Sequence, residues 1–300
     1  MFVVKPEGEK WPASANVYII KDEEGLTMID SGCGSEKCFN ALLAGMKEYG
    51  LDIHDVHTLL LSHAHPDHMG ATSRVLKVIK PKIIMHEVDA PNARNPKLLI
   101  KNFDISLIKS YYPSFNFDLL GFFRESSCSM CQAEPNVTVK EGDYVYAGEF
   151  SFRIVHTPGH APGHICLYEE ERKLLFSGDL IGAILAWYSP SSGGALGYME
   201  SLAKIERLEV DLILPSHGIV IDDPARAINE TRRKLTERDR EILRMLDGGK
   251  RTFYELNEPV FKGPMRYFPG VVITESHLIK LEREGKIERL ENKMFSARII

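Results

Sequence analysis

A cluster of metal-binding side chain types lies early in the chain, directly after a strand-like apolar run, in the segment Ser62-His63-Ala64-His65-Pro66-Asp67-His68. Residues two apart in extended backbone project to the same side, so His63 and His65 can face one ion. Pro66 restricts His65 to an extended conformation, and Asp67 and His68 then begin a helix and can face a second position. Imidazole and carboxylate groups suit zinc, iron or manganese. A histidine-rich turn without metal function is the alternative, and four such side chains in six residues disfavour it.

Three further positions carry a ligand-type side chain just past an apolar strand. They are His160 in Thr157-Pro158-Gly159-His160, Asp179 in Phe176-Ser177-Gly178-Asp179, and His217 in Pro215-Ser216-His217-Gly218. Each lies where a strand gives way to a loop, the place from which a sandwich of sheets can direct side chains into one cleft.

These motifs, in this order, resemble those of the metallo-β-lactamase superfamily over roughly residues 1 to 230. The resemblance implies an α+β fold, a four-layered αββα sandwich. It also implies a set of seven ligands, in which His63, His65 and His160 hold one ion, Asp67, His68 and His217 hold the other, and Asp179 bridges the two. Seven ligands exceed what one four-coordinate zinc uses, so counting alone also favours two ions.

Two divalent ions, with Zn²⁺ expected and iron or manganese as alternatives, predict a hydrolase. A water between them would be acidified to a pKa of about 7, which gives a metal-bridging hydroxide near neutral pH. The ions would also polarise a carbonyl or phosphoryl oxygen. Asp67 is the catalytic candidate because it can orient the hydroxide or receive its proton. The site fits esters, thioesters, lactones, amides and phosphodiesters without selecting among them.

The elements that must position these residues follow from the hydrophobic pattern. Residues 17–29 read as a hairpin with its glycine at the turn, and residues 36–49 as a helix that stops at Gly50. Residues 97–112 are predicted as one amphipathic helix. That helix belongs to an aromatic-rich insertion at about 91–135, which is either a lid forming an apolar acyl pocket or a set of helices packed by their own aromatics.

The C-terminal part, 231–300, has a different order of elements from the catalytic domain predicted over 1–230. Helix, short helix, helix and two strands resemble a small winged-helix domain, which one branch of the superfamily also carries. Its segment 275–284 holds three glutamates against one lysine and one arginine. That makes a poor face for phosphates, so we expect this part to shape the substrate cleft or a subunit contact.

For the other residues with reactive side chains, a structural role is the alternative to a chemical one. His164 is expected to support the metal ligands from behind, and Tyr188 is a candidate hydrogen-bond donor to an oxyanion or substrate. Cys33 and Cys38 could join the pair Cys128-x-x-Cys131 in a structural metal site, or the pair could be a redox-active dithiol. Unremarkable loop cysteines are the default, with Cys33 near the cleft.

Composition bounds the remaining hypotheses. The 300 residues have a net charge of −5, 44% hydrophobic content and five cysteines, with neither a signal-peptide pattern nor a membrane-length apolar run. This predicts a cytoplasmic protein without membrane contact and compatible with a homodimer. The leading hypothesis is hydrolysis of a small ester, thioester or lactone as acyl substrate. The rival is a metal-dependent endoribonuclease or phosphodiesterase acting on single-stranded RNA, and a DNA-binding sensor or iron redox chemistry fits the ligand set less well.

Overall fold

The computed structural model describes residues 1–6, 14–125, 128 and 130–298 and is built on two large β-sheets. The first sheet runs in chain order, antiparallel up to its third strand and parallel thereafter. Its strands are β1 (Phe2–Val4), β2 (Val17–Lys21), β3 (Leu26–Ile29), β4 (Val56–Leu61), β5 (Lys82–His86) and β6 (Val137–Val139). The helices connected to it are α1 (Glu36–Glu48), α2 (Pro66–Met69), α3 (Thr72–Val78), α4 (Ala90–Arg94), α5 (Pro96–Asn102), α6 (Ile105–Tyr111) and α7 (Leu119–Glu125).

The second sheet has the spatial order β11-β10-β9-β8-β7 and is antiparallel except for the parallel pair β10 and β11. Its strands are β7 (Tyr144–Ala147), β8 (Phe150–His156), β9 (Ile165–Glu169), β10 (Leu174–Gly178) and β11 (Leu212–Pro215). The outer side of this sheet is covered by the helices α8 (Gly194–Ile205) and α9 (Pro224–Asp247).

Strand alternation divides the apolar side chains between three layers of core. On β4, Leu60 lies between the two sheets, whereas Leu59 and Leu61 face the helices of the first sheet. On β9, Leu167 lies between the sheets and Cys166 faces the side covered by α8. Both sheets are therefore buried on both faces. The result is the predicted mixed α and β arrangement in four layers, αββα.

The C-terminal part forms a small third sheet with two helices. Its antiparallel strands have the order β12-β14-β13, and the elements are β12 (Arg251–Thr252), α10 (Phe253–Asn257), α11 (Gly270–Arg283), β13 (Ile287–Arg289) and β14 (Met294–Ala297). The predicted domain boundary at 230/231 falls inside α9, a continuous helix of 24 residues. The boundary and the winged-helix assignment both stay predictions. Of the helices in the described part of the chain, none is long and apolar enough to cross a membrane.

Most local predictions are confirmed, and two helices differ from them. The hairpin pairs β2 with β3, and α1 begins after Ser35, whose side chain accepts from the backbone N–H of Cys38. The single helix predicted over 97–112 is wrong, because the chain breaks between α5 and α6. Asp104 there has a left-handed φ of 50°, and its carboxylate accepts bonds from Ser191 at 2.5 and 2.8 Å. A tertiary contact thus overrides the local helical pattern.

Candidate metal centre

The ends of four strands bring the seven predicted ligands into two adjoining groups. One group is His63, His65 and His160, and the other is Asp67, His68, Asp179 and His217, with one ligand atom from each residue within 4.8 Å of the others in its group. His65 precedes Pro66 and has φ −71° and ψ 149°, the predicted extended conformation. Pro66 then takes the first position of α2, which carries Asp67 and His68 at one edge of the site.

The first group consists of imidazoles whose ring nitrogens converge. His65 Nδ1 lies 2.8 Å from His160 Nε2, and the ring centroids of His63 and His65 are 4.5 Å apart. His160 Nδ1 lies 2.6 Å from the carbonyl oxygen of Trp187 and must donate its proton there. That bond leaves Nε2 of His160 as a lone pair directed at the group.

The second group mixes imidazole and carboxylate. His217 Nε2 lies 3.3 Å from Asp67 Oδ2 and 3.4 Å from Asp179 Oδ1, and His68 Nε2 lies 3.2 Å from the same oxygen of Asp179. The other oxygen, Oδ2, lies 3.2 Å from His160 Nε2 in the first group. Asp179 therefore has one oxygen towards each group, the placement that the predicted bridging role requires.

Unsatisfied buried atoms test whether these groups fit metal ions. His63 Nε2, His65 Nε2, His68 Nε2 and Asp179 Oδ1 are buried without a hydrogen-bond partner among the described residues. Burying such atoms without a partner costs about 1–3 kcal/mol each. Lone pairs of imidazole and carboxylate that converge in this way are the donor set preferred by zinc and similar ions. The residues present therefore fit two metal ions, and their individual assignment as ligands stays a prediction.

Asp30 orients His68 from behind, a contact that the sequence analysis missed. Its Oδ2 lies 2.8 Å from His68 Nδ1 and accepts from Ser62 Oγ at 2.8 Å, while Oδ1 accepts from the Ser62 N–H. The imidazole must hold its proton on Nδ1, which leaves Nε2 free to bind a metal. The sequence did show a carboxylate at the end of β3. It points to His68 only once β3 is known to pair with β4, the strand that leads into the ligands.

His164 holds the backbone that carries Asp179. Its Nε2 accepts from the Asp179 N–H at 2.9 Å, and its Nδ1 lies 2.8 Å from the hydroxyl of Thr157. The ring is buried and is in neither group of converging ligand atoms. This placement is the one expected for a residue that supports the ligands. Asp89, also missed, accepts from the N–H groups of Ala64 and Gly163 and so joins the two ligand-bearing loops.

Glycines precede two of the ligands for a steric reason. Gly159, before His160, has φ +142°, and a Cβ there would lie 2.7 Å from the backbone of Tyr198. Gly178, before Asp179, has φ +52°, and a Cβ there would lie 2.3 Å from His164 Nε2. Only glycine combines these backbone conformations with such close packing. The Pro-Gly-His and Ser-Gly-Asp motifs are therefore backbone requirements as well as ligand positions.

Electrostatics differ between the two groups. Burial lowers the pKa of His63, and nearby imidazoles lower it further, so this ring is neutral. Burial also opposes protonation of His68, but the carboxylates of Asp179, Asp67 and Asp30 outweigh it and raise its pKa. Burial likewise opposes ionisation of Asp179, and the surrounding histidines nevertheless hold its pKa well below the usual range. The carboxylate-rich second group thus attracts positive charge, and the first offers neutral nitrogen donors.

A cavity of about 520 Å³ opens onto both groups. Five predicted ligands line it, namely His65, Asp67, His160, Asp179 and His217. Aromatic side chains from three parts of the chain form the adjoining wall. Trp187 stacks on Phe103 of the insertion at 4.6 Å and lies 5.6 Å from Phe268 of the C-terminal part. Phe103 also lies 5.2 Å from the His65 ring, so the apolar wall begins beside a ligand.

The aromatic side chains of the insertion fall into two sets, one that lines the cavity and one that packs against other elements. Phe103, Phe122 and Phe123 line the cavity, whereas other aromatics pack against the C-terminal part. Tyr111 stacks on Phe253 with ring centroids 3.6 Å apart. The insertion therefore contributes to the cavity wall and also anchors the C-terminal elements.

Tyr188 and two of the cysteines have partners that the sequence did not indicate. The Tyr188 hydroxyl is buried and bonds to His277 and Arg238, and its role as a hydrogen-bond donor to an oxyanion or substrate stays a prediction. Cys33 and Cys128 are joined in a disulfide. The default expectation of unremarkable loop cysteines was therefore wrong for this pair. Cys38, Cys131 and Cys166 are buried, and none of the three takes part in this disulfide.

Known proteins resemble the chain in sequence and in fold. A family model of the metallo-beta-lactamase superfamily matches residues 11–217. The probable metallo-hydrolase YqjP of Bacillus subtilis is 25% identical over 92% of this chain and 87% of its own length. The human acyl-coenzyme A thioesterase MBLAC2 is 26% identical over 68% of this chain and 72% of its own. A metallo-beta-lactamase family protein from Thermus thermophilus has the same fold, with a TM-score of 0.81 and 22% identity over 99% of this chain and 98% of that one.

Proposed function

The chain belongs to the metallo-β-lactamase superfamily and is a metal-dependent hydrolase, and on that premise we propose that it hydrolyses small thioesters. Esters and lactones are the related substrate classes. One observation carries the proposal, a largely apolar cavity of about 520 Å³ that has the predicted metal ligands in its wall. A cavity of this kind binds an acyl group while its carbonyl lies beside the ligands. The relative named as an acyl-coenzyme A thioesterase supports the choice of thioester.

The chemistry follows from the two groups of ligands. Two divalent cations, with zinc proposed, would supply a water-derived nucleophile at neutral pH and stabilise negative charge on the carbonyl oxygen. Asp67 lines the cavity and is proposed to orient the attacking water and accept its proton. The water oxygen adds to the carbonyl carbon, the carbon–sulfur bond breaks, and the departing thiolate takes up a proton. The hydrogen bond from His160 to the Trp187 carbonyl connects a predicted ligand directly to the residue that begins the aromatic wall.

The C-terminal part is proposed to be a winged-helix element that completes the cavity. Phe261, Met265 and Phe268 from this part line the cavity. Its helix α11 is buried along most of its length, including the charged residues Glu275 and Lys280. A helix packed in this way cannot enter a nucleic-acid groove. Its burial therefore supports a role in substrate selection over DNA reading, with RNA cleavage kept as the alternative to be assayed.

The acyl-binding part of the proposal is tested with a series of thioesters of increasing chain length. We expect Phe103→Ala to lower kcat/KM for long acyl groups about tenfold or more relative to acetyl, because a buried aromatic contact is lost. Tyr146→Ala is the matched control, since that ring is 73% exposed on the second sheet. An unchanged chain-length preference in Phe103→Ala would show that the acyl group lies elsewhere.

The reaction class is tested on metal-loaded protein with thioesters, aryl esters, lactones and single-stranded RNA. Asp67→Asn should lower the thioester rate at least a hundredfold, as expected for loss of a proton acceptor, with metal content measured in parallel. Asp52→Asn is the control, because Asp52 is exposed and lies before the start of β4, at the opposite end of this strand from His63. Cleavage of RNA alone, abolished in Asp67→Asn, would replace the thioesterase proposal by the nuclease alternative.

A further inference from the structure

One cation in the cavity wall has no carboxylate partner among the residues that the structure describes. Arg238 of α9 lines the same cavity as the metal ligands. Its Nη1 donates to the Tyr188 hydroxyl at 2.5 Å, and the guanidinium lies 5.7 Å from the ring centroids of Tyr188 and Phe261. Across the described parts of the chain, no Asp or Glu forms an ion pair with it, although most other partly buried charges here are paired.

The groups behind Arg238 are already neutralised by one another. The Tyr188 hydroxyl lies 2.7 Å from His277 Nε2, and His277 Nδ1 lies 2.7 Å from Asp239 Oδ1. Because Nδ1 faces a carboxylate, it holds the ring proton, so Nε2 accepts from the Tyr188 hydroxyl and the phenol oxygen accepts from Arg238. The second oxygen of Asp239 accepts from Lys280 at 2.7 Å. The negative charge of Asp239 is therefore already paired with Lys280 and does not neutralise Arg238.

This chain of bonds fixes the guanidinium without neutralising it. Burial raises the pKa of Tyr188 to about 12, so the hydroxyl is uncharged, and burial lowers the pKa of His277, so that ring is uncharged as well. Nη1 of Arg238 is used by Tyr188, whereas Nη2 and Nε make no hydrogen bond to any residue of the described chain. A guanidinium edge with two parallel N–H donors is the geometry that binds a carboxylate in bidentate fashion.

We propose that Arg238 binds a carboxylate on the acyl group of the substrate, so that the enzyme prefers thioesters of dicarboxylic acids. The inference rests on the proposed thioesterase function and specifies its substrate class. The scissile carbonyl lies at the metal groups, the apolar part of the acyl chain lies against the aromatic wall, and the free carboxylate lies at Arg238. One guanidinium neutralises the single charge of a carboxylate, whereas a phosphate monoester carries a charge of about −1.5 to −2 at pH 7 and would keep part of it unpaired in a mainly apolar cavity, so the carboxylate is the better match.

The experiment uses metal-loaded protein and matched pairs of substrates. Monothioesters of dicarboxylic acids with four to eight carbons are compared with acyl thioesters in which a methyl group replaces the free carboxylate. We expect one chain length to be preferred over its neutral counterpart by about 10- to 100-fold in kcat/KM, the range that a bidentate charged pair supplies. In Arg238→Met this preference should fall by the same factor, because the KM for the dicarboxylic thioester rises while the KM for the neutral one does not.

Two further variants separate a binding role from a structural one. Arg238→Lys should keep part of the preference, because it retains the charge without the planar fork. Arg240→Met, at an exposed position of the same helix, should keep the whole of it, and thermal unfolding checks that each variant is folded. Equal treatment of dicarboxylic and neutral thioesters by the wild type would refute the inference while leaving the thioesterase proposal intact.

A binding measurement keeps the inference testable even without turnover. If the wild type hydrolyses no thioester, the proposed function fails, and calorimetric titration with the free dicarboxylic acids then decides the role of Arg238. Binding at least tenfold tighter than that of the matched monocarboxylic acids, and lost in Arg238→Met, would support it. Equal binding of the two acids, or no effect of the substitution, would overturn it.

Discussion

Substitution Asp30→Asn should weaken metal binding without disturbing the backbone. Asp30 has a left-handed φ of 59°, a conformation that asparagine tolerates and alanine does not. The introduced amide oxygen can still accept from the Ser62 N–H. Its NH₂ group would then face His68 Nδ1, so this nitrogen has to accept instead of donate. The ring proton moves to Nε2, the atom directed at the second group of ligands.

The size of the effect follows from this exchange of tautomers. Loss of a carboxylate behind a metal-binding histidine typically lowers metal affinity about 10- to 100-fold, which corresponds to about 1.4–2.7 kcal/mol. We expect the larger loss at the ion that His68 binds, because Asp30 contacts this ring directly, whereas it reaches the first group only through Ser62 Oγ, which lies 3.0 Å from His63 Nδ1. Competition with a chromophoric chelator measures the two affinities, and elemental analysis gives the number of ions bound.

The control for Asp30→Asn is Asp52→Asn, an equal change of charge at an exposed helix cap. Asparagine caps as well as aspartate does, so this variant should keep both metal affinities and its stability. Two ions bound by Asp30→Asn with wild-type affinity would refute the tautomer argument. A loss of both ions together with a lower melting temperature would instead show that Asp30 acts on the fold of the β3 and β4 strand ends.

Three further outcomes are expected. Chelation of the metals should lower the free energy of unfolding by about 3 kcal/mol or more, since ligand at 100 times Kd contributes about 2.7 kcal/mol per site; urea unfolding with and without chelator measures this, and equal curves would contradict it. Gly159→Ala should destabilise the protein by about 2 kcal/mol or more and lower its metal content, because the added Cβ meets the backbone of Tyr198; melting and elemental analysis together check it. Burial opposes ionisation of Asp239, but bonds from His277 and Lys280 hold its pKa below the usual range. Because this pKa is lowered in the folded state, its stabilising contribution is fully present above the ordinary aspartate pKa of about 3.9 and is lost as the pH falls from there through the lowered pKa; the stability difference between wild type and Asp239→Asn should shrink steadily below about pH 4, and a difference that does not shrink there would argue against it.

The ligands could be predicted because their signals are local. Histidines two apart before a proline, and single ligands just past apolar strands, can be recognised without knowing the sheet order. The residues that orient them could not be recognised in this way. Asp30 reaches His68 across 38 positions of sequence, and the contact exists only because β3 and β4 are parallel neighbours. Until that pairing is known, a lone carboxylate at a strand end could equally cap a turn or lie in solvent.

Neighbouring positions in an irregular segment are the other limit of sequence analysis. The sequence offers no reason to choose between Trp187 and Tyr188 as the residue that reaches the site, because they are adjacent and both follow Asp179 in the same loop. The structure turns Trp187 towards His65 and Tyr188 towards His277. No periodicity exists in a loop to separate the two faces. The break at Asp104 could not be predicted either, but for a different reason. It depends on a hydrogen bond with Ser191, which lies in a distant loop.

The predicted metal ligands and part of the cavity wall come from different parts of this chain. All seven predicted ligands lie within residues 63–217, which the family model spans. The cavity wall extends beyond that range, because Arg238 and Phe268 come from the C-terminal part. A break at residue 230 would divide α9 and separate Arg238 from the ligand-bearing part of the cavity wall, so a protein cut at the predicted boundary should lose the substrate preference proposed for Arg238 even if it still binds metal.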